Sequence, residues 1–103
     1  MWSFERNILV NPLRNVMYSG QVTVKSENGL HLSPISQIVR LATSFNSTIK
    51  LSFDGRNADA KSAFDLMLLA APSGAVLELE VSGDDAEAAA GAVTGLFETG
   101  FNH

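Results

Sequence analysis

Cysteine is absent from the 103 residues. Disulfides, thiolate-ligated zinc, iron–sulfur clusters and thiol nucleophiles are therefore excluded. Histidine occurs only twice, as His31 and His103, too few for a multi-histidine site within one chain, so no metal and no other cofactor is expected. Basic residues are scarce as well, seven Lys and Arg against eleven Asp and Glu, for a net charge of −4. Nucleic acids and anionic membranes need clustered positive charge, so neither is expected as a partner. No apolar run approaches the roughly 20 residues of a membrane span, and no membrane insertion is expected. The first sixteen residues mix Glu5, Arg6, Asn7, Asn11 and Arg14 with apolar residues, unlike the uninterrupted apolar stretch of a secretory signal. Together with the lack of cysteine this fits a cytoplasmic protein.

What is present is the composition of a folded chain, 46% hydrophobic and 17% charged. The length suits one domain with a modest core. Charge is unevenly spread: residues 1–53 hold five basic and two acidic residues, and residues 54–103 hold two basic and nine acidic residues. The basic excess thus lies in the half that holds His31. Before Met17 the sequence is irregular and contains Pro12; soon after it, strand-like alternation begins. The chain accordingly divides into an N-terminal extension, 1–16, expected to be poorly ordered or peripheral, and a domain over 17–103.

Within the domain, Gln21-Val22-Thr23-Val24-Lys25 alternates as a half-buried strand does, and Asn28-Gly29 marks a turn. Leu32, Ile35, Ile38, Val39, Leu41, Ala42 and Phe45 recur at helical spacing up to Ser44–Asn46. Thr48–Phe53 alternates again, Asp54-Gly55 is a hairpin signal, and Arg56–Ala60 is its partner strand. Residues 62–71 read as a short helix capped by Ser62 and stopped by Pro72. Ala75–Ser82 is the last strand. Asp84 or Asp85 then caps a helix, Ala86 to Glu98, striped by Ala90, Val93, Leu96 and Phe97. Gly91 and Gly95, four apart on this helix, suggest close packing on a sheet more than a dimer seam. The order β-α-β-β-α-β-α predicts an α+β fold. A four-stranded antiparallel sheet would carry the three helices on one face, leaving the other to solvent or a partner.

Chemistry concentrates in Asn28-Gly29-Leu30-His31-Leu32-Ser33-Pro34, which runs from strand end to helix start. Pro34 falls in the first turn, where a missing N–H costs little. The unpaired N–H groups of Leu32 and Ser33 make an anion site, phosphate included. A histidine titrates near neutrality, and its deprotonated ring nitrogen can attack a phosphoryl group. No hydrolase or metal site accompanies it; Asp65, Glu78, Glu80, Asp84 and Asp85 read as solvated or capping residues.

Gly-Leu-His-x-x-Pro after a Val-Thr-Val strand resembles the HPr family, histidine-containing phosphocarriers of the bacterial PEP-dependent phosphotransferase system of sugar transport. Ala60-Lys61-Ser62 before an apolar short helix, Ser73-Gly74 before the last strand and Gly83-Asp84-Asp85 before the last helix extend the resemblance over residues 20–101. It implies the family's open-faced β-sandwich and a monomer. It implies that His31, through Nδ1, accepts a phosphoryl group from PEP-charged enzyme I and passes it to IIA domains, as a carrier and not a stand-alone catalyst. Leu32 and Ser33 would bind the phosphate. Ser62 would be phosphorylated by an HPr kinase/phosphorylase, against the simpler reading of a helix cap. Phe64, Met67 and Leu68 would form an exposed apolar partner surface, with Leu66 and Leu69 turned to the core.

One position departs from the pattern. The family usually has arginine two residues after the histidine, where this chain has Ser33. A charged hydrogen bond of that kind is worth roughly 1.5–3 kcal/mol. Its loss would slow transfer without abolishing it, and Arg40 and Lys61 are candidate substitutes. The departure also raises an alternative, an HPr-like regulatory binding protein with weak or no phosphotransfer.

Overall fold

Strand alternation and helical spacing of apolar residues account for nearly all the regular structure. The computed structural model describes residues 3–5, 8–10 and 16–101. Along them run β1 (Ser3–Glu5), β2 (Ile8–Val10), β3 (Val16–Thr23), α1 (Leu32–Thr43), β4 (Thr48–Phe53), β5 (Arg56–Asp59), α2 (Ala63–Leu69), β6 (Val76–Ser82) and α3 (Ala86–Glu98). The strands form one antiparallel sheet ordered β1-β2-β3-β6-β4-β5. Its last four strands, with the three helices, are the β-α-β-β-α-β-α arrangement expected from the sequence. β6 lies between β3 and β4, and β4 lies between β6 and β5. Both helical connections, β3-α1-β4 and β5-α2-β6, therefore step over a strand, which carries the helices across one face of the sheet.

Alternation decides which side of each strand meets them. Leu77, Leu79 and Val81 of β6, Ile49 and Leu51 of β4 and Val22 of β3 are buried. The helices answer with Ile35, Ile38 and Ala42 of α1, Leu66 and Leu69 of α2, and Ala86, Ala89, Ala90, Val93 and Phe97 of α3. Fully burying each leucine or isoleucine contributes on the order of 1.5–3 kcal/mol. The opposite face is polar and cross-linked by side chains: Gln21 Nε2 donates to Glu78 at 2.9 Å, Lys50 meets Glu80 at 3.0 Å, and the Ser52 hydroxyl meets Asn57 Oδ1 at 2.6 Å.

Four differences from the sequence reading have local causes. The first domain strand begins at Val16, five residues earlier than Gln21, because Gly20 supplies no side chain and hides the alternation. The second helix stops at Leu69 and not at Ala71, since Ala70 turns left-handed at φ 51°. Asp85 stands at the N-cap of α3 without capping it. Its carboxylate instead accepts the backbone N–H groups of Asn46 and Ser47, each at 2.9 Å, and the Ser47 hydroxyl. Gly91 and Gly95 do not serve close packing on the sheet, because a Cβ added at either would meet nothing within 4 Å. Of the N-terminal extension, Ser3–Glu5 and Ile8–Val10 lengthen the sheet beyond β3, with Leu9 opposite Met17 and Ile8 opposite Tyr18. The expectation of disorder there also covers residues 1–2, 6–7 and 11–15, which lie outside the described residues, as does His103.

Candidate functional site

The segment from β3 to α1 is folded by its own short-range bonds. The Ser26 hydroxyl donates to the carbonyl of Gly29 at 2.6 Å, and the Gly29 N–H donates to the carbonyl of Ser26 at 3.1 Å. Gly29 has φ +71°, and a Cβ on it would stand 2.5 Å from the carbonyl oxygen of Ala71 and 2.9 Å from Pro72 Cα. Only glycine allows both the left-handed backbone and this approach. Leu30 then buries its side chain and donates its N–H to Ala71 at 2.9 Å. Since Ala71 is two residues beyond α2, this bond holds the C-terminal end of α2 against the loop that precedes His31.

His31 is the N-cap of α1. Its backbone is extended, at φ −99° and ψ −170°, and its carbonyl accepts the N–H of Ile35 at 3.0 Å. The imidazole makes no cap bond and is exposed. Three residues follow before Ile35. Pro34 has no N–H, and those of Leu32 and Ser33 have no partner among the described residues. The helix thus begins with two unpaired donors at its positive end, immediately beside an unpaired imidazole.

Ser33 is exposed and tied down. Its hydroxyl accepts from Gln37 Nε2 at 3.3 Å, and the same amide nitrogen donates to the carbonyl of Phe101 at 3.3 Å. Gln37 therefore links the first turn of α1 to the chain just past α3. Its Oε1 is buried without a partner among the described residues.

His31 opens onto a groove of about 620 Å³ shared with Lys25, Ser26, Glu27, Asn28 and the turn Glu98–Phe101. Neither cation considered as a stand-in for the missing arginine belongs to it. Arg40 is in the last turn of α1, about 12 Å along the helix at 1.5 Å per residue. The Lys61 ammonium donates to the carbonyl of Phe45 at 3.0 Å, beyond the far end of α1. The cation in the groove is Lys25, which the sequence reading passed over because only its place at a strand end marked it. A more apolar cleft of about 500 Å³ separates α1 from α3, lined by Leu41, Ala92 and Gly95 among others, and does not include His31.

On α2 the helical period sorts the apolar residues cleanly. Leu66 and Leu69 are 0% exposed, whereas Phe64, Met67 and Leu68 are 68%, 57% and 57% exposed. Leu32, next to His31, is 75% exposed. Exposed apolar side chains of this size are candidates for an interaction surface. Ser62 is half-buried at the N-cap of α2, where its hydroxyl accepts the N–H of Asp65 at 3.2 Å. The Asp65 carboxylate in turn accepts the N–H of Asp59 at 3.2 Å. The described residues contain no group of three or more His, Asp or Glu able to hold a metal ion.

Comparison with known proteins agrees with this architecture. The family model for the PTS HPr component phosphorylation site matches residues 18–99. The phosphocarrier protein HPr of Xylella fastidiosa (strain Temecula1) is 37% identical over 86 residues, covering 84% of this chain and 97% of that protein. HPr of Haemophilus influenzae is likewise 37% identical over 83 residues, 81% of this chain and 98% of its own. Among solved structures, HPr of Thermoanaerobacter tengcongensis superposes with a TM-score of 0.79 at 33% identity, over 82% of this chain and 96% of that one. The chain belongs to the HPr family of phosphotransferase-system phosphocarriers. The match begins at Tyr18, so the strands β1 and β2 lie outside it.

Proposed function

We propose that this HPr-family protein carries a phosphoryl group on His31, accepting it from PEP-charged enzyme I and passing it to IIA-type domains. The observation that supports this most is an exposed imidazole at an N-cap it does not use, next to the unpaired N–H groups of Leu32 and Ser33. In the transfer, the lone pair of Nδ1 forms a bond to phosphorus while Nε2 keeps its proton. The P–N bond of the donor phosphohistidine breaks, and its electron pair returns to the donor ring. The phosphoryl oxygens gather charge at the helix start, where the two N–H groups are already aimed. The same steps in reverse order of partners deliver the group onward, because one P–N bond replaces another.

Phe64, Met67 and Leu68, with Leu32, are the surface on which the partners dock in this reading. Their exposure supports it, together with the Leu30–Ala71 bond that holds the end of α2 against the histidine loop. In the same reading Ser62 is a regulatory acceptor for an HPr kinase/phosphorylase. A phosphate there would add charge beside Asp65, whose N–H the hydroxyl now accepts, and would repel acidic partners. In this reading the protein works in the cytoplasm, alongside enzyme I. No helix among the described residues is long and apolar enough to cross a membrane.

Intact mass after incubation with enzyme I and PEP tests the central step. The expected product gains one phosphoryl group that is lost in acid and is absent from His31→Ala. An unchanged mass with the cognate enzyme I, while the protein is folded, overturns the reading.

A further inference from the structure

We propose that Lys25 supplies the positive charge for the phosphoryl group on His31, in place of the arginine that Ser33 replaces. The inference rests on the phosphocarrier reading above.

A phosphoryl group brings a charge of about −1.5 to −2 at neutral pH. At His31 it meets two backbone N–H groups, which carry no net charge. It also meets a groove that two acidic residues, Glu27 and Glu98, help to line. Without a cation, the formal charges around an incoming dianion would be of its own sign. Among the described residues lining the groove, Lys25 is the one cation. The other Lys and Arg among the described residues are engaged or distant. Lys50 pairs with Glu80 at 3.0 Å, Arg56 donates to the carbonyl of Leu69 at 2.9 Å, Lys61 donates to Phe45, and Arg40 ends α1.

Lys25 is free to act. Its ammonium has a single contact, 3.5 Å from the carbonyl of Glu98, at the outer limit of a hydrogen bond. Exchanging that contact for a phosphoryl oxygen gives up little. The lysine also has three donors on a four-carbon stem, so it can reach an oxygen without a fixed geometry. Ser33 brings no charge: its hydroxyl accepts from Gln37 and keeps its proton to donate to a phosphoryl oxygen, but a neutral donor does not replace a cation. The cation has thus moved from the first turn of the helix to the strand end that precedes it, on the other side of the histidine in sequence.

The test compares the rate at which limiting enzyme I and PEP phosphorylate wild type, Lys25→Gln, Lys25→Arg and Lys25→Gln/Ser33→Arg. Loss of one charged hydrogen bond predicts a rate roughly tenfold lower, or more, for Lys25→Gln. Lys25→Arg should stay near wild type, and the added arginine should restore the double variant, a rescue that a structural role for Lys25 would not produce. A second measurement needs no enzyme. Inorganic phosphate titrated into 15N-labelled protein should shift the Leu32 and Ser33 amides in wild type at lower concentration than in Lys25→Gln. Wild-type rates and wild-type phosphate shifts in Lys25→Gln would overturn the assignment. If wild type takes no phosphoryl group but binds phosphate in a Lys25-dependent way, the carrier reading fails and the anion role of Lys25 stands.

Discussion

The N-terminal ends of α1 and α2 solve the same problem in opposite ways. Each leaves backbone N–H groups without helical partners. At α2 the Ser62 hydroxyl takes one of them, from Asp65, and the end is closed. At α1 the N-cap residue is His31, whose ring takes none, and the end stays open. Serine at an N-cap stabilises a helix by about 1 kcal/mol over alanine, and histidine is not among the residues that cap well. The open end therefore forgoes that stability at the place where the proposed phosphotransfer would use unpaired donors. The closed end begins the helix whose outward side, Phe64, Met67 and Leu68, is apolar.

Substitutions can break or sharpen this contrast. The largest effect on phosphorylation is expected from closing the open end. His31→Asp places a true capping side chain on a backbone already suited to it, and should raise stability by about 0.5–1 kcal/mol in urea unfolding. It should also remove acid-labile phosphorylation altogether. A variant that loses stability instead would show that the imidazole supports the helix. Next comes the loop that presents His31. Gly29→Ala forces a Cβ against the Ala71 carbonyl at a left-handed residue, and should cost on the order of 2 kcal/mol or more, read from the denaturation midpoint. A midpoint equal to wild type would mean the loop shifts freely. Opening the closed end, by Ser62→Ala, should cost about 1 kcal/mol and leave the rate of His31 phosphorylation unchanged. The smallest change concerns the other end of α2: Ala70→Gly removes a strained left-handed alanine and should gain no more than about 1 kcal/mol.

Asp85 supplies a third case, an N-cap residue that stabilises a different part of the fold. Bonds from the Ser47 hydroxyl and the Asn46 N–H hold its carboxyl below the ordinary aspartate value. A depressed folded value means the contribution is present above the unfolded pKa, about 3.9, and is lost as pH falls through the folded one. Melting temperatures of wild type and Asp85→Asn should therefore differ most at neutral pH and converge below about pH 4. A gap that persists in acid would assign the effect to packing.

Much of the fold was legible because the elements are strongly periodic. The spacing of Leu32 to Phe45, the alternation of Thr48–Phe53 and Ala75–Ser82, and Asp54-Gly55 between two strands each admit one local structure. β1 and β2 were not legible, since three-residue strands have no period and exist by pairing with one another and with β3. The site was half legible. Gly29, His31 and Pro34 stand together in the chain, so the strand-to-helix turn and its histidine could be read directly. Lys25 could not, because its claim rests on sharing a groove with Glu98 and Phe101, more than seventy residues later. The two glycines of α3 misled for a related reason: their spacing shows a common helix face but not that the face meets open space.

By itself, then, the sequence determined the succession of elements, the apolar side of each, and a histidine at the start of a helix. These follow from periodicity and from steric rules that act within a few residues. Only the tertiary structure decided that the His31 ring caps nothing, that Asp85 binds the loop after α1, and that Lys25 shares a groove with His31. Each of those depends on which distant groups reach one another once the helices have crossed the sheet, and no local pattern encodes that distance.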